Sequence, residues 1–281
     1  MMYLVGETGQ LGNQLFRLAH HVGNSLQYEY PLTCPVFQYG AYFPNLSSHP
    51  LLHVSQRGAT WQRKLTKAVA KSAARPLVSR ALNTLGVQIV AEPYVFSEAD
   101  TQFIQAARRR PVLVTSWLFR DYGSFRQNAD RIRYLFRPDA QYARQAERLL
   151  LPLQQKNVPI IGVHIRRGDY KEWEGGRYYF DDGVYRAVMA HLLTLPGLHN
   201  ATFLLCSNEP VDAHAFSDLP VVESVGNHFM TDLTLLSGCS YVVGPPSTFS
   251  AWASFMGQVP MYHVTAATDR PALTDFRVDV G

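Results

Sequence analysis

Residues 159–176 read PIIGVHIRRGDYKEWEGG. The run Ile160–Ile165 follows a proline, is rich in β-branched residues and stops abruptly at two arginines, a glycine and an aspartate. That length and composition predict a buried strand. Charge packed directly behind it does not continue a core, so the segment has the form of a strand that runs into a ligand loop. Two adjacent residues on a strand point to opposite faces, so Arg166 and Arg167 can meet one ligand only where the chain turns, as Gly168 permits. Guanidinium forks bind phosphate oxygens bidentately and stay charged, whereas an Arg–Asp pair with Asp169 would simply brace the loop.

Outward from this segment the same grammar repeats. Toward the C-terminus the patterns predict a helix (180–195), strands at 201–207 and 221–225, a helix (230–240), the strand YVVG (241–244), the helix STFSAWASFMG (247–257) and a strand (260–264). Toward the N-terminus MMYLVG is a strand and LGNQLFRLAHHVGNSLQ (11–27) a helix, with Leu11, Leu15, Leu18 and Val22 at helical spacing. RPVLVTSW (110–117) is a buried strand, and helices follow at 128–138 and 140–156. Strands alternating with helices predict parallel βαβ units in a doubly wound sheet, whose ligands bind beyond the carboxyl ends of the strands. In YVVGPPSTFS the turn after a strand is followed by Ser247, Thr248 and Ser250, where hydroxyls and free N–H groups at a helix start offer an anion site or an ordinary N-cap. GETGQLGNQLF is another strand–Gly–helix junction, without the dinucleotide glycine spacing or the P-loop lysine.

The chain has 281 residues, 47% hydrophobic and 17% charged, enough for two domains with cores of their own. They are expected at 1–145 and 146–281. Three widely spaced cysteines, Cys34, Cys206 and Cys239, suggest buried free thiols rather than a disulfide framework or a zinc site. No apolar window approaches a membrane span and no leader pattern opens the sequence, so a soluble, cytoplasmic chain is expected. Charge is unevenly spread. From residue 30 to residue 91 there is no acidic residue, while Arg57, Arg63, Lys64, Lys67, Lys71, Arg75 and Arg80 lie there, more positive charge than the +4 the whole chain nets. The mixture fits a basic amphipathic helix broken near Pro76: a solvated face, or peripheral contact of segment 57–80 with the inner face of an anionic membrane or a lipid-linked acceptor. Nucleic acid is not expected, because aromatic residues are not interleaved with the basic ones.

In order and spacing, LGNQLF, HIRRGDY and DLTLLSGCSYVVGPPSTFS resemble the three motif regions of the α-1,2-fucosyltransferases, glycosyltransferase family 11. The H-x-R-R-x-D core is shared with α-1,6- and protein O-fucosyltransferases. The resemblance implies an α/β fold of GT-B type, two Rossmann-like domains facing a cleft, and an inverting, metal-independent transfer of fucose from GDP-fucose to a glycan or lipid-linked oligosaccharide, of galactoside α-1,2 type. It puts Arg166 and Arg167 at the GDP phosphates with His164 and Asp169 shaping the loop. Asp232 would contact the nucleoside, and Ser247, Thr248 and Ser250 the ribose or β-phosphate. Gly12, Asn13 and Gln14 would enter from the other domain. Glu174 stands where related enzymes carry a general base, with Glu172 its neighbouring competitor. Three departures stand out: Gly9-Gln10 replaces a Gly-Gly pair, Asn208-Glu209 replaces an Asp-Asp expected near guanine or sugar, and Ala251 replaces a tryptophan. They leave open a related GDP-deoxyhexose donor or a catalytically silent nucleotide-sugar or glycan binder.

Overall fold

The computed structural model describes every residue except 7, 8, 56–59, 74, 98 and 225, and omits the side chains of 60–63 and 213. Of the basic segment, Arg57 and the Arg63 side chain therefore lie outside the described residues. The chain divides into two compact units, Met1–Asp139 with Val280–Gly281, and Ala140–Asp279. Helix 140–154 thus falls wholly within the second.

In chain order the first unit contains β1 (Met2–Leu4), α1 (Leu11–Tyr28), β2 (Leu32–Cys34), β3 (Leu52–Val54), α2 (Thr60–Ala73), α3 (Pro76–Thr84), β4 (Gln88–Val90), β5 (Tyr94–Val95), α4 (Thr101–Arg109), β6 (Val112–Val114), β7 (Phe119–Arg120), α5 (Tyr122–Gln127) and α6 (Ala129–Leu135). Five strands form a wholly parallel sheet in the order β3-β2-β1-β6-β4, while β5 and β7 pair separately. The predicted Leu11, Leu15, Leu18 and Val22 are all buried on α1. That helix ends at Glu29, which is left-handed (φ 54°) and donates its N–H to the Ser25 carbonyl. Several polar residues of α1 are buried as well, Arg17, His20, His21 and Asn24 among them. Arg17 donates to the carbonyls of Val5 (3.2 Å) and Gly6 (3.1 Å), just past β1, and burial lowers its pKa. Beside it is a cavity of about 20 Å³ bordered by Leu4, Gly6, Gln14 and Phe37. Asn24 donates to Asp121 Oδ2 (2.6 Å) and accepts from the Tyr30 hydroxyl. His20 Nδ1 lies 3.1 Å from the Asp121 backbone N–H, and His21 stacks on Phe119 at 3.9 Å. Burial pushes His20 down to about 3 and His21 well below its ordinary value, which suits neutral packing residues.

The second unit holds α7 (Ala140–Gln154), β8 (Ile160–Ile165), α8 (Asp182–Leu192), β9 (Thr202–Ser207), β10 (Val221–Glu223), α9 (Phe229–Ser237), β11 (Tyr241–Gly244), α10 (Thr248–Gly257) and β12 (Met261–His263). Its five strands pair in parallel in the order β10-β9-β8-β11-β12, and Met261 of β12 makes one antiparallel bridge to Arg277. The chain fills one side of β8 with β9 and β10, then crosses to build β11 and β12, which makes the gap between β8 and β11 the topological switch point. Ile161, Val163 and Ile165 of β8 pack with Val188, Met189 and Phe203 in one core cluster. Gly162 interrupts this apolar strand because a Cβ there would stand 2.7 Å from Leu236 Cδ2. Likewise Gly257 admits α9 so closely that a Cβ would lie 1.9 Å from the Ser237 carbonyl. The two units are therefore separate α/β folds built on parallel sheets, as the alternation predicts. The sequence reading did not anticipate β2, β3, β4 and α4, whose strands are three residues each.

Candidate functional site

The carboxyl end of β8 delivers Arg166 and Arg167 to the switch point, and Gly168 (φ 66°) turns the chain there. The two arginines diverge. Arg166 pairs with Asp169 Oδ1 at 2.7 Å, and its guanidinium carbon lies 5.6 Å from the Tyr170 ring centroid. Arg167 instead pairs with Asp182 in the first turn of α8, with only 12% of its side chain exposed. The two arginines of the motif are therefore held by different carboxylates, Arg166 within the turn and Arg167 from α8. Arg167 is committed to anchoring α8. His164 is buried, its ring 5.2 Å from Phe249, and desolvation with the nearby Arg166 charge pushes its pKa down to about 3. A neutral imidazole in that position supports the turn from below.

Asn208, at the end of β9, explains one departure from the family pattern. Its Oδ1 accepts the Arg167 N–H at 2.8 Å, and its Nδ2 donates to the Arg167 carbonyl at 3.3 Å. Only an amide can both donate and accept in this way, so a carboxylate at 208 would lose one arm of the clamp. A Cβ at Gly168 would lie 3.2 Å from Asn208 Nδ2 and 3.3 Å from Glu209 Oε1, which places the arginine turn against the lining of the neighbouring pocket.

That pocket, about 430 Å³, opens at the ends of β9 and β10 and is bordered by Asn208, Glu209, Glu223, Ser224, Asn227 and Asp232. Asp232 projects from the first turn of α9 and accepts from the Ser224 hydroxyl, which in turn accepts from Asn227 Nδ2 at 2.8 Å. Burial pushes its carboxyl up to about 6, opposed by the Ser224 hydrogen bond. All three charged residues of this lining are acidic, so it offers acceptors to a ligand rich in N–H donors.

At β11 the turn is fixed from two sides. Gly244 lies so near β8 that a Cβ would stand 2.6 Å from the His164 carbonyl. The Tyr170 hydroxyl donates to the Pro246 carbonyl at 2.6 Å, tying this turn to the arginine turn. Ser247 caps α10 by accepting the Phe249 N–H at 3.2 Å, and Thr248 is half-buried beside it. Ser250 is fully buried and donates to the Ser247 carbonyl, so it shapes the cap instead of facing a ligand.

Beyond Asp169 the chain forms a short aromatic-rich segment. Trp173, 41% exposed, lies 4.7 Å from the Tyr170 ring and 5.4 Å from that of Tyr178. Glu174 is left-handed (φ 51°), followed by Gly175 and Gly176 at φ 68° and 78°. Positive φ is uncommon for a residue with a Cβ and tends to cluster at functional sites. Glu172 and Glu174 are both exposed.

Gly12, Asn13 and Gln14 occupy the first turn of α1 in the first unit. Gln14 Nε2 donates to the Gly9 carbonyl at 3.0 Å, while Asn13 is exposed. Gly9 is left-handed (φ 51°), and a Cβ there would stand 2.6 Å from Asn13 Nδ2. Tyr170, Glu223, Ser224 and Asn227 were not anticipated. They reach the site from loops and from a three-residue strand that carry no periodic signal. Among the described residues no group of three or more His, Cys, Asp or Glu could hold a metal ion, and no helix is long and apolar enough to cross a membrane. All three cysteines are free and buried.

No protein-family model matches the sequence, and no curated protein matches it. Solved structures do. POFUT1 in complex with GDP-fucose superposes with a TM-score of 0.54 at 10% identity, covering 96% of each chain. A variant of Arabidopsis thaliana FUT1 in complex with GDP gives 0.58 at 14% identity over 98% of this chain and 72% of that one. The NodZ α-1,6-fucosyltransferase soaked with GDP-fucose gives 0.52 at 17% identity over 93% and 94%. These likenesses embrace fucosyltransferases generally and do not single out the α-1,2 family. Together with two parallel-sheet units and a switch-point arginine, they show that the chain has the GT-B fold of the fucosyltransferases.

Proposed function

We propose that this chain is a fucosyltransferase that takes its sugar from GDP-fucose and forms an α-1,2 linkage on a glycan or lipid-linked acceptor, with inversion and without a metal. The observation that carries the reading is that the switch-point turn bearing Arg166 is held through the Arg167 backbone by Asn208, which borders an acceptor-lined pocket of about 430 Å³. A guanidinium beside the N-terminus of α10 suits a diphosphate, and the carboxylates of Asp232, Glu209 and Glu223 suit the donor edge of guanine.

Cleavage of the anomeric carbon–oxygen bond leaves positive charge on the sugar and a negative charge on departing GDP. Arg166, with Ser247 and Thr248 at the helix start, stabilises that growing charge more than the ground state. Arg167 acts as a positioning residue through Asp182, and Asn208 holds the same turn. The acceptor hydroxyl attacks the opposite face of the anomeric carbon, and its proton passes to the Glu174 carboxylate. Asp169, engaged with Arg166, is less available for that step, and Glu172 remains the competitor. The exposed face of Trp173 is of the kind on which a sugar ring packs. Gly12, Asn13 and Gln14 belong to the acceptor side in this reading.

Incubation with GDP-fucose and an acceptor array, followed by GDP release and linkage analysis, tests the proposal. Fucosylated product resistant to excess EDTA supports it. Transfer from a different GDP-deoxyhexose would correct the sugar, and donor binding with no transfer or hydrolysis would mark a silent binder. The Asn208 clamp removes one reason to favour that last outcome, since the amide has a structural task here.

A further inference from the structure

The longest stretch without an acidic residue, 30–91, carries seven of the chain's 26 lysines and arginines, and those whose side chains are described take no part in the site above. Its helices α2 and α3 present that charge together with apolar side chains. At about 100° per residue, Thr66, Ala70 and Ala73 share the face of α2 turned toward the protein, and Thr66 and Ala73 are buried. The outer face divides lengthwise. Ala68, Leu65 and Val69 fall together on one side, with Leu65 54% and Val69 38% exposed. Lys64, Lys67 and Lys71 fall together on the other, all exposed. Pro76 restarts the chain as α3, where Leu77, Ala81 and Leu85 follow at helical spacing. Leu77 is 80% and Leu85 78% exposed, flanked by exposed Arg75 and Arg80.

We infer that the α2–α3 helices are a docking surface for an anionic phospholipid bilayer. Apolar side chains bordered by lysine and arginine can enter the headgroup–acyl boundary while the cations meet lipid phosphates. Charge complementarity selects the occupant, since no acidic side chain interrupts this segment. The exposed leucines separate a bilayer from nucleic acid, whose backbone would use the cations and leave Leu77 and Leu85 in water. The inference is independent of the catalytic reading.

Flotation of the full chain tests it, with vesicles of phosphatidylcholine alone and with added phosphatidylglycerol. Binding to the anionic vesicles only, weakened by salt, is expected. Each cation near an anionic surface contributes about fivefold in partitioning, so the triple variant Lys64→Gln, Lys67→Gln, Lys71→Gln should partition roughly a hundredfold less. The pair Leu77→Ser, Leu85→Ser should also weaken binding, most visibly at high salt where burial is what remains. Both variants change exposed positions, and unchanged thermal melting would show that the fold is intact. Equal binding to neutral vesicles, no binding to anionic ones, or an undiminished triple variant would overturn the inference. So would a DNA duplex bound more tightly than the vesicles with the leucine pair indifferent.

Discussion

Asp232→Asn separates what the donor pocket costs the fold from what it gives the ligand. The Asp232 carboxyl is pushed up to about 6 by burial, from 3.8. A folded pKa above the unfolded one means the native state holds the proton more tightly, so this group favours folding fully below 3.8 and loses that contribution as pH rises through about 6. At about 1.4 kcal/mol per pH unit the interval corresponds to about 3 kcal/mol of unfavourable burial once the group is ionised. Asparagine keeps an oxygen for the Ser224 hydroxyl and has no charge to desolvate. Allowing for the weaker neutral hydrogen bond, the variant should be more stable than wild type by about 2 kcal/mol at about pH 8. That gain corresponds to roughly 4–8 °C in the transition that unfolds the second unit. Near pH 4 the two proteins should converge, because the native carboxyl is already neutral. Calorimetric melts of both proteins across pH, paired with GDP titrations, provide the assay. GDP affinity should fall by about tenfold to a hundredfold, the scale of a hydrogen bond to a charged group. If the variant melts at or below wild type in alkaline buffer, burial of the carboxylate is not a net cost and the argument fails. If GDP binds it normally, Asp232 does not read the nucleoside.

Arg166→Ala should lower transfer by about two to three orders of magnitude, the usual loss for one preorganised donor, and wild-type rates would sink the diphosphate assignment. Glu174→Gln should leave GDP affinity unchanged and lower turnover roughly a hundredfold or more. Normal turnover together with an inactive Glu172→Gln would move the base by two residues. Gly244→Ala should cost about 1–3 kcal/mol of overpacking, since its Cβ would meet the His164 carbonyl at 2.6 Å. Urea denaturation measures this, and an unchanged midpoint would mean that β8 and β11 do not approach so closely. Activity should persist in excess EDTA, because a fixed guanidinium serves the diphosphate. A strict requirement for a divalent ion would refute this.

The second unit was largely legible because its two central strands are long and apolar, and because the shorter ones stand between helices with clear periodicity. Ile160–Ile165 and Thr202–Ser207 are six residues each and span the sheet centre. In the first unit the strands are two or three residues long, which gives a pattern little room to rise above its surroundings, and only β1 and β6 were anticipated. At the site, residue type predicted chemistry better than direction. The arginine pair was visible at once, yet which of the two faces the switch point depends on where the turn begins, and on an ion pair to Asp182, 15 residues away. Ser250 looked like a ligand hydroxyl because Ser and Thr at a helix start serve either a ligand or the helix itself. The Asn208 clamp joins side chain to backbone across 41 residues, and no local pattern announces such a contact.

The two units share an architecture, but the carbonyls just past their first strands are held differently. In the first, the chain's own Arg17 takes up the carbonyls beyond β1, and the adjoining space of about 20 Å³ holds about one water. A cation of the protein thus takes up the carbonyls just past β1. With those carbonyls taken, single occupancy is the expected behaviour of the doubled fold. Calorimetric titration should yield one nucleotide per chain, and a second equivalent would require Arg17 to leave its carbonyls.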